Sequence, residues 1–193
     1  MEENFKNIKT EEIEIQFLDS KFDKNLQFQI FNLLILCNNE FIPPLSSHEF
    51  TTQTNLFSKG ENSNNKKTPL NYFKNLLNQH LLVATHKNYI IGFMSFKKDY
   101  TCDYISNENL PNLYVSTVIV NPNYRGKGIT KLFYKKLTET FSYHSIITRT
   151  WSSNVRHLKI LNSLGFKNTA IIKNDRGENI DTVFYTLTPN TNL

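Results

Sequence analysis

One stretch near the middle of the chain restricts the possible folds more than any other: Val120-Asn121-Pro122-Asn123-Tyr124-Arg125-Gly126-Lys127-Gly128-Ile129-Thr130-Lys131-Leu132. A β-branched run over 113–120 stops at a proline, a basic glycine loop follows, and an amphipathic helix begins at once, with Ile129, Leu132, Phe133, Leu137 and Phe141 on one face to about residue 143. The first amides of such a helix lack intrahelical acceptors, and its N-terminus carries partial positive charge. Gly126 and Gly128 let an anion's oxygens approach the main chain. The segment therefore reads as a diphosphate cradle between a strand and a helix. It is neither of two common phosphate loops. Walker A needs Lys-Ser or Lys-Thr after its last glycine, and the Rossmann pattern needs a third glycine where Lys131 stands, on an early strand.

The rest of the chain supplies a mixed frame. Alternation over 12–18 predicts a strand, and Ser20 with Asp23 opens a helix to about residue 38. Residues 40–68 read as an irregular loop able to cover a site, and Pro69 starts a short helix to about residue 77. Strands are expected over 80–85, 89–97, 145–152, 166–173 and 181–187, with a helix over 154–164. The strand–helix–strand passage through the middle demands parallel neighbours, and hairpins flank it. The expected class is α+β, with all 193 residues in a single domain.

Charge sharpens this picture. The chain has 22 Lys and Arg against 17 Asp and Glu. Between Tyr124 and Lys136 lie Arg125, Lys127, Lys131, Lys135 and Lys136 with no acid, so the remaining residues balance. An excess gathered at one helix N-terminus suits one phosphorylated small ligand better than a long polyanion. Cys37 and Cys102 form neither a disulfide framework nor a C-x-x-C pair, and His48, His80, His86, His144 and His157 have no metal-ligand spacing. No metal is expected. The N-terminus lacks secretory-signal order, so a cytoplasmic location is expected, away from membrane and nucleic acid.

The Arg125-x-x-Gly128-x-Thr130 spacing resembles motif A of the Gcn5-related N-acetyltransferase family, which follows Q/R-x-x-G-x-G/A. Asn154 to Phe166 resembles that family's next helix, with Asn at its start and Leu-Gly-Phe at its end. The resemblance spans about 12–188, with motif A over 113–143 and the next strand and helix over 145–166. It implies an acyl-CoA N-acyltransferase fold: a mixed, mostly antiparallel sheet, a central parallel pair splayed for coenzyme A, and helices on both faces. It also implies acetyl-CoA as cosubstrate and direct attack by a primary amine of a small molecule or protein. On that basis Val118, Ile119, Val120, Arg125, Gly126, Lys127, Gly128, Ile129, Thr130 and Asn154 bind the cofactor, and Tyr114, Ser116 and Tyr185 are candidate catalytic residues. Arg149, Trp151 and Asp181 are candidates for the acceptor side. The partners are acetyl-CoA and an amine acceptor, with a homodimer admitted.

Three positions depart from the family pattern. Thr130 replaces the last small residue, Leu161 stands where a tyrosine acid is usual, and Tyr114 stands where one branch has a glutamate base. The departures keep a second expectation open, a weak or inactive acyl-CoA-binding module. The sequence admits polyamine, aminoglycoside, amino acid, peptide N-terminus and lysine as acceptors alike.

Overall fold

The computed structural model describes residues 9–18, 23–54, 56, 68–101, 104 and 111–189. Among the described residues seven strands form one sheet: β1 (Glu14–Leu18), β2 (His80–His86), β3 (Tyr89–Lys98), β4 (Asn112–Val120), β5 (Ser145–Trp151), β6 (Lys167–Gly177) and β7 (Ile180–Leu187). Their spatial order is β1-β2-β3-β4-β5-β7-β6. Every neighbouring pair is antiparallel except β4 and β5. The class is α+β, as the sequence predicts.

Among the described residues four α-helices cover the two faces: α1 (Lys24–Cys37), α2 (Leu70–Leu76), α3 (Ile129–Thr140) and α4 (Val155–Ser163). Strand alternation sorts the core between them. Leu82 and Ala84 of β2 join Phe133, Leu137 and Leu161 under α3 and α4. Leu81 and Val83 join Ile30, Leu34 and Leu76 under α1 and α2. Both layers thus close from a period-2 pattern meeting helical stripes.

Local chemistry fixes the element ends. Asp23 caps α1, its carboxylate accepting from the Leu26 amide at 2.8 Å. The helix therefore begins at Lys24, and Ser20, the expected start, lies outside the described residues. Lys87 and Asn88 both take positive φ, which is the two-residue turn that a twisted hairpin requires. Of the 40–68 loop, residues 40–54, 56 and 68 are described, with a 3-10 turn over Leu45–Ser47. The last hairpin differs from its sequence expectation. β6 runs to Gly177 rather than 173, because Asn174 (φ 53) absorbs an irregularity and the strand continues through Asp175 and Arg176 to a turn before Ile180.

β4 and β5 hold together over only four residue pairs, Asn112↔Ser145 to Val115↔Thr148. Beyond them the strands part. Ser116 is an extra residue in β4, since Ser95 pairs with Thr117 while Phe96 pairs with Val115. Such a bulge adds local twist and bends the strand that carries it. The Thr148 hydroxyl donates to the Val115 carbonyl at 3.1 Å and closes the ladder.

Candidate active site

The divergence of β4 and β5 opens a cleft of about 1030 Å³. Residues 116–120 of β4 and 148–151 of β5 form its walls, the loop before α3 and the first turns of α3 and α4 form one end, and Cys37 at the end of α1 closes it with Glu40 and Phe41 of the segment that follows. Residues 116–120 pair with β3 through Thr117, Val118, Ile119 and Val120, whereas pairing with β5 ends at Val115. Main-chain groups on their β5 side thus face the cleft, where backbone polar groups require partners. Val118 and Val120 pack toward the α3 layer and Ile119 toward the α1 layer, so main chain is what these residues offer a ligand.

Gly126 and Gly128 hold left-handed φ of 84° and 76°, and a Cβ built on either meets nothing within 4 Å. The backbone here is bent around empty space that opens into the cleft. Gly128 is the N-cap of α3, and its carbonyl accepts from the Leu132 amide at 3.0 Å. The amides of Ile129, Thr130 and Lys131 precede that first bond and remain for a ligand. Lys131 and Thr130 line the cleft beside them. Main-chain donors and the helix dipole together suit this cradle to an anionic group.

Arg125 departs from the simple picture of a loop cation. Its guanidinium turns inward: Nε donates to the Val120 carbonyl at 3.0 Å and Nη2 to Glu40 Oε2 at 2.7 Å, 3.5 Å from Cys37 Sγ. Arg125 therefore ties the glycine loop to the end of α1, and its charge is answered by Glu40. Burial, reinforced by Glu40, pushes the Cys37 thiol up to about 11, so it stays protonated. Asn154 caps α4, accepting from the His157 amide at 3.3 Å and donating to Thr150 Oγ1 at 3.0 Å. Its place in the family pattern is thus accounted for by helix capping beside the cleft.

The candidate catalytic and acceptor residues scatter more widely. Tyr114 is fully buried behind the sheet, stacked on Tyr100 with ring centroids 4.2 Å apart. Because of the bulge, Thr117 rather than Ser116 continues the face that Tyr114 begins. The Thr117 hydroxyl lies 2.7 Å from that of Tyr72, while Ser116 donates to Gln79 Oε1 at 2.6 Å. Tyr185 packs in the core under α3 and α4, as does Leu161. Arg149 and Trp151 line the cleft. Asp181 is occupied elsewhere: its carboxylate accepts from Lys173 Nζ at 2.9 Å and from the Asn174 amide at 3.0 Å, and both bonds hold it below the usual carboxylate range.

Two contributors escaped the sequence reading. Glu40 and Phe41 reach the cleft only through the tertiary docking of α1, for which no local signal exists. His157 lines it from the first turn of α4, with Nε2 3.2 Å from the buried Tyr134 hydroxyl. Burial pushes that imidazole down to about 4, so it is neutral at pH 7. Among the described residues no His, Cys, Asp and Glu cluster could hold a metal, and no helix is long and apolar enough to cross a membrane.

Residues 48–166 match the family model described as the Acetyltransferase (GNAT) family. No curated protein sequence matches the chain. Solved structures do resemble it. That of yncA from Salmonella typhimurium with its cofactor acetyl-CoA aligns with a TM-score of 0.62 at 18% identity, over 93% of this chain and 95% of that one. Arabidopsis thaliana NAA60 in complex with a bisubstrate analogue aligns with a TM-score of 0.60 at 12% identity, over 92% and 99%. An N-acetyltransferase from Staphylococcus aureus Mu50 aligns with a TM-score of 0.59 at 15% identity, over 91% and 98%. At these identities the likeness is one of fold, and the family model covers well over half of the chain. With a glycine loop at a helix N-terminus and a parallel pair that parts beside it, the chain belongs to the GNAT acetyltransferase family.

Proposed function

We propose that the protein is a cytoplasmic N-acetyltransferase that moves the acetyl group of acetyl-CoA to a primary amine by direct attack. The observation that carries this reading is the continuity of one cleft, from the open cradle at Gly126 and Gly128 to the edge of β4 released beyond Val115. The cradle amides, the α3 dipole and Lys131 hold the pyrophosphate, while main-chain groups of 116–120 take the pantetheine arm. Acetyl-CoA supplies an activated thioester. An amine attacks only after losing its proton, and the oxyanion that follows needs preorganised donors. Backbone amides of β4 beside the bulge are the donors placed for that task. Glu40 is the carboxylate and His157 the imidazole that the lining offers for proton traffic through water.

A second reading has its own support. Leu161 and Tyr114, at the positions where the resemblance leads one to expect an acid and a base, are both fully buried. A non-catalytic acyl-CoA-binding module would have this combination of an intact cradle and absent proton groups. Calorimetry with acetyl-CoA and release of free thiol in the presence of an amine panel separate the two. The enzyme reading expects binding and acceptor-dependent thiol release. Binding without release on amino-acid, peptide and polyamine acceptors favours the module, and no binding removes both.

A further inference from the structure

Where the cleft meets the α1 and α2 side of the sheet lies a cluster of buried polar side chains that the coenzyme cradle does not use. Arg176, 8% exposed on β6, donates Nε to Thr182 Oγ1 at 2.8 Å and Nη1 to the Ile42 carbonyl at 2.7 Å. Arg149 donates Nη2 to the Gln53 carbonyl and reaches the cleft, directly after the last rung of the β4–β5 ladder at Thr148. Asp175 is the one buried carboxylate among the described residues, accepting from Thr182 Oγ1 at 2.5 Å. The other titratable groups that share this cluster are neutral at pH 7. Burial, with Arg176 adding to it, pushes His48 down to about 4, and burial pushes Tyr72 up to about 12.

A buried guanidinium, Arg176, and a half-buried one, Arg149, therefore stand beside one buried carboxylate. Their carbonyl partners satisfy donors and cancel no charge. A buried charge left uncompensated is costly, and a planar guanidinium offers a fork that a carboxylate can accept from bidentately. The strain shows at Arg176, which burial and the neighbouring Arg149 bring down to about 10. Arg149 is the member that an incoming molecule can touch, and the Trp151 and Phe41 rings, 5.6 Å apart, form an apolar wall beside it.

We infer that Arg149 binds a carboxylate of the acceptor, so that the acceptor is a small amine bearing a free carboxylate, an amino acid or a close analogue. The inference rests on the proposed acetyl-CoA site, because it is the parting of β4 and β5 that puts Arg149 next to the transfer point. The same charge repels polyamines, aminoglycosides and lysine-rich segments. The experiment measures thiol release with the twenty amino acids, with the amide and the decarboxylated amine matched to each amino acid that reacts, and with spermidine. Acetyl-CoA affinity is followed separately by calorimetry.

The expected result is turnover of an amino acid with kcat/KM about 10- to 100-fold above its amide and its decarboxylated amine, the worth of one charged hydrogen-bonded contact. Arg149→Gln then raises KM for the amino acid by a similar factor and by more than it raises KM for the amide, and Arg149→Lys recovers part of the loss. Because Arg149 also holds Gln53, the comparison of matched acceptors on the unaltered protein stands whether or not the variants fold. Equal or better turnover of the amide, preference for spermidine, or acetyl-CoA binding with no amino acid turned over would overturn the inference. Failure to bind acetyl-CoA would instead remove the reading of the cleft on which it rests.

Discussion

Gly126 and Gly128 owe their identity to two separate demands, a left-handed backbone and a space kept clear of side chains. These demands predict different losses. Alanine at either position strains the backbone by about 1–2 kcal/mol with no clash inside the protein. Valine also fills the space assigned to the pyrophosphate, so Gly126→Val or Gly128→Val should abolish measurable acetyl-CoA binding in calorimetry while a folded protein remains by circular dichroism. Retained affinity would place the pyrophosphate elsewhere. His48 makes a pH prediction. A buried imidazole held near 4, below its unfolded value near 6.5, binds fewer protons in the native state. Its stabilising contribution is whole above about pH 6.5 and is lost as the pH falls toward 4, for a total of about 3 kcal/mol. Denaturant midpoints between pH 7 and pH 4 should show this slope together with a like one from His157, and His48→Asn should reduce it by about half. At this scale the glycines were legible because a spacing rule identifies them. The inward turn of Arg125 was not, because its partner Glu40 lies 85 residues away.

Elements were legible where a local rule decides their ends. The end of α4 is a Schellman closure: the Phe166 amide donates to the Leu161 carbonyl and the Gly165 amide to that of Asn162, both at 3.1 Å, with Gly165 at φ 86°. Leu161 and Phe166 then meet in the core, which explains the Leu-Gly-Phe ending without any catalytic demand. β3 carries a constraint of another kind. A Cβ on Gly92 would stand 2.8 Å from the Ile119 carbonyl oxygen, a main-chain atom of the strand that lines the cleft. Gly92→Ala should cost about 1–3 kcal/mol and weaken acetyl-CoA binding as β4 shifts. Chemical denaturation and calorimetry on the same variant check both effects. Two features escaped sequence reading for related reasons. The bulge at Ser116 interrupts an otherwise regular β-branched run and exists only in register with β3. The extension of β6 passes through Asn174-Asp175-Arg176-Gly177, residues that spell a turn locally yet are held in a strand by Thr182 across the hairpin.

At the scale of the whole molecule, the order of strands and helices was readable because each crossover has one permitted hand and each hairpin a short turn. What the sequence could not supply was the docking of the segment after α1. Arg149 and Arg176 reach over to the carbonyls of Gln53 and Ile42, so that segment is fastened to the far half of the sheet by two side chains distant in sequence. A ligand that spans the gap between β4 and β5 joins the two halves of the sheet and should stabilise the native state. Acetyl-CoA at about 100 times its Kd adds about 2.7 kcal/mol. For a chain of this length, that raises the thermal midpoint by about 5–10 °C. A scan of midpoint against acetyl-CoA concentration measures it, and a flat response would count against the bridging site.

The four pairs between β4 and β5 also coincide with a division of the chain. Every strand on one side of them, β1 to β4, precedes residue 121, and every strand on the other, β5 to β7, follows residue 144. Each side is a contiguous block of sequence whose ladder closes on itself, and the two share a short common boundary. Substitutions that retune one block need not disturb strand registers in the other. The boundary that admits a ligand is thus also the place where such a protein can be remodelled half by half, with the transfer chemistry kept at the junction.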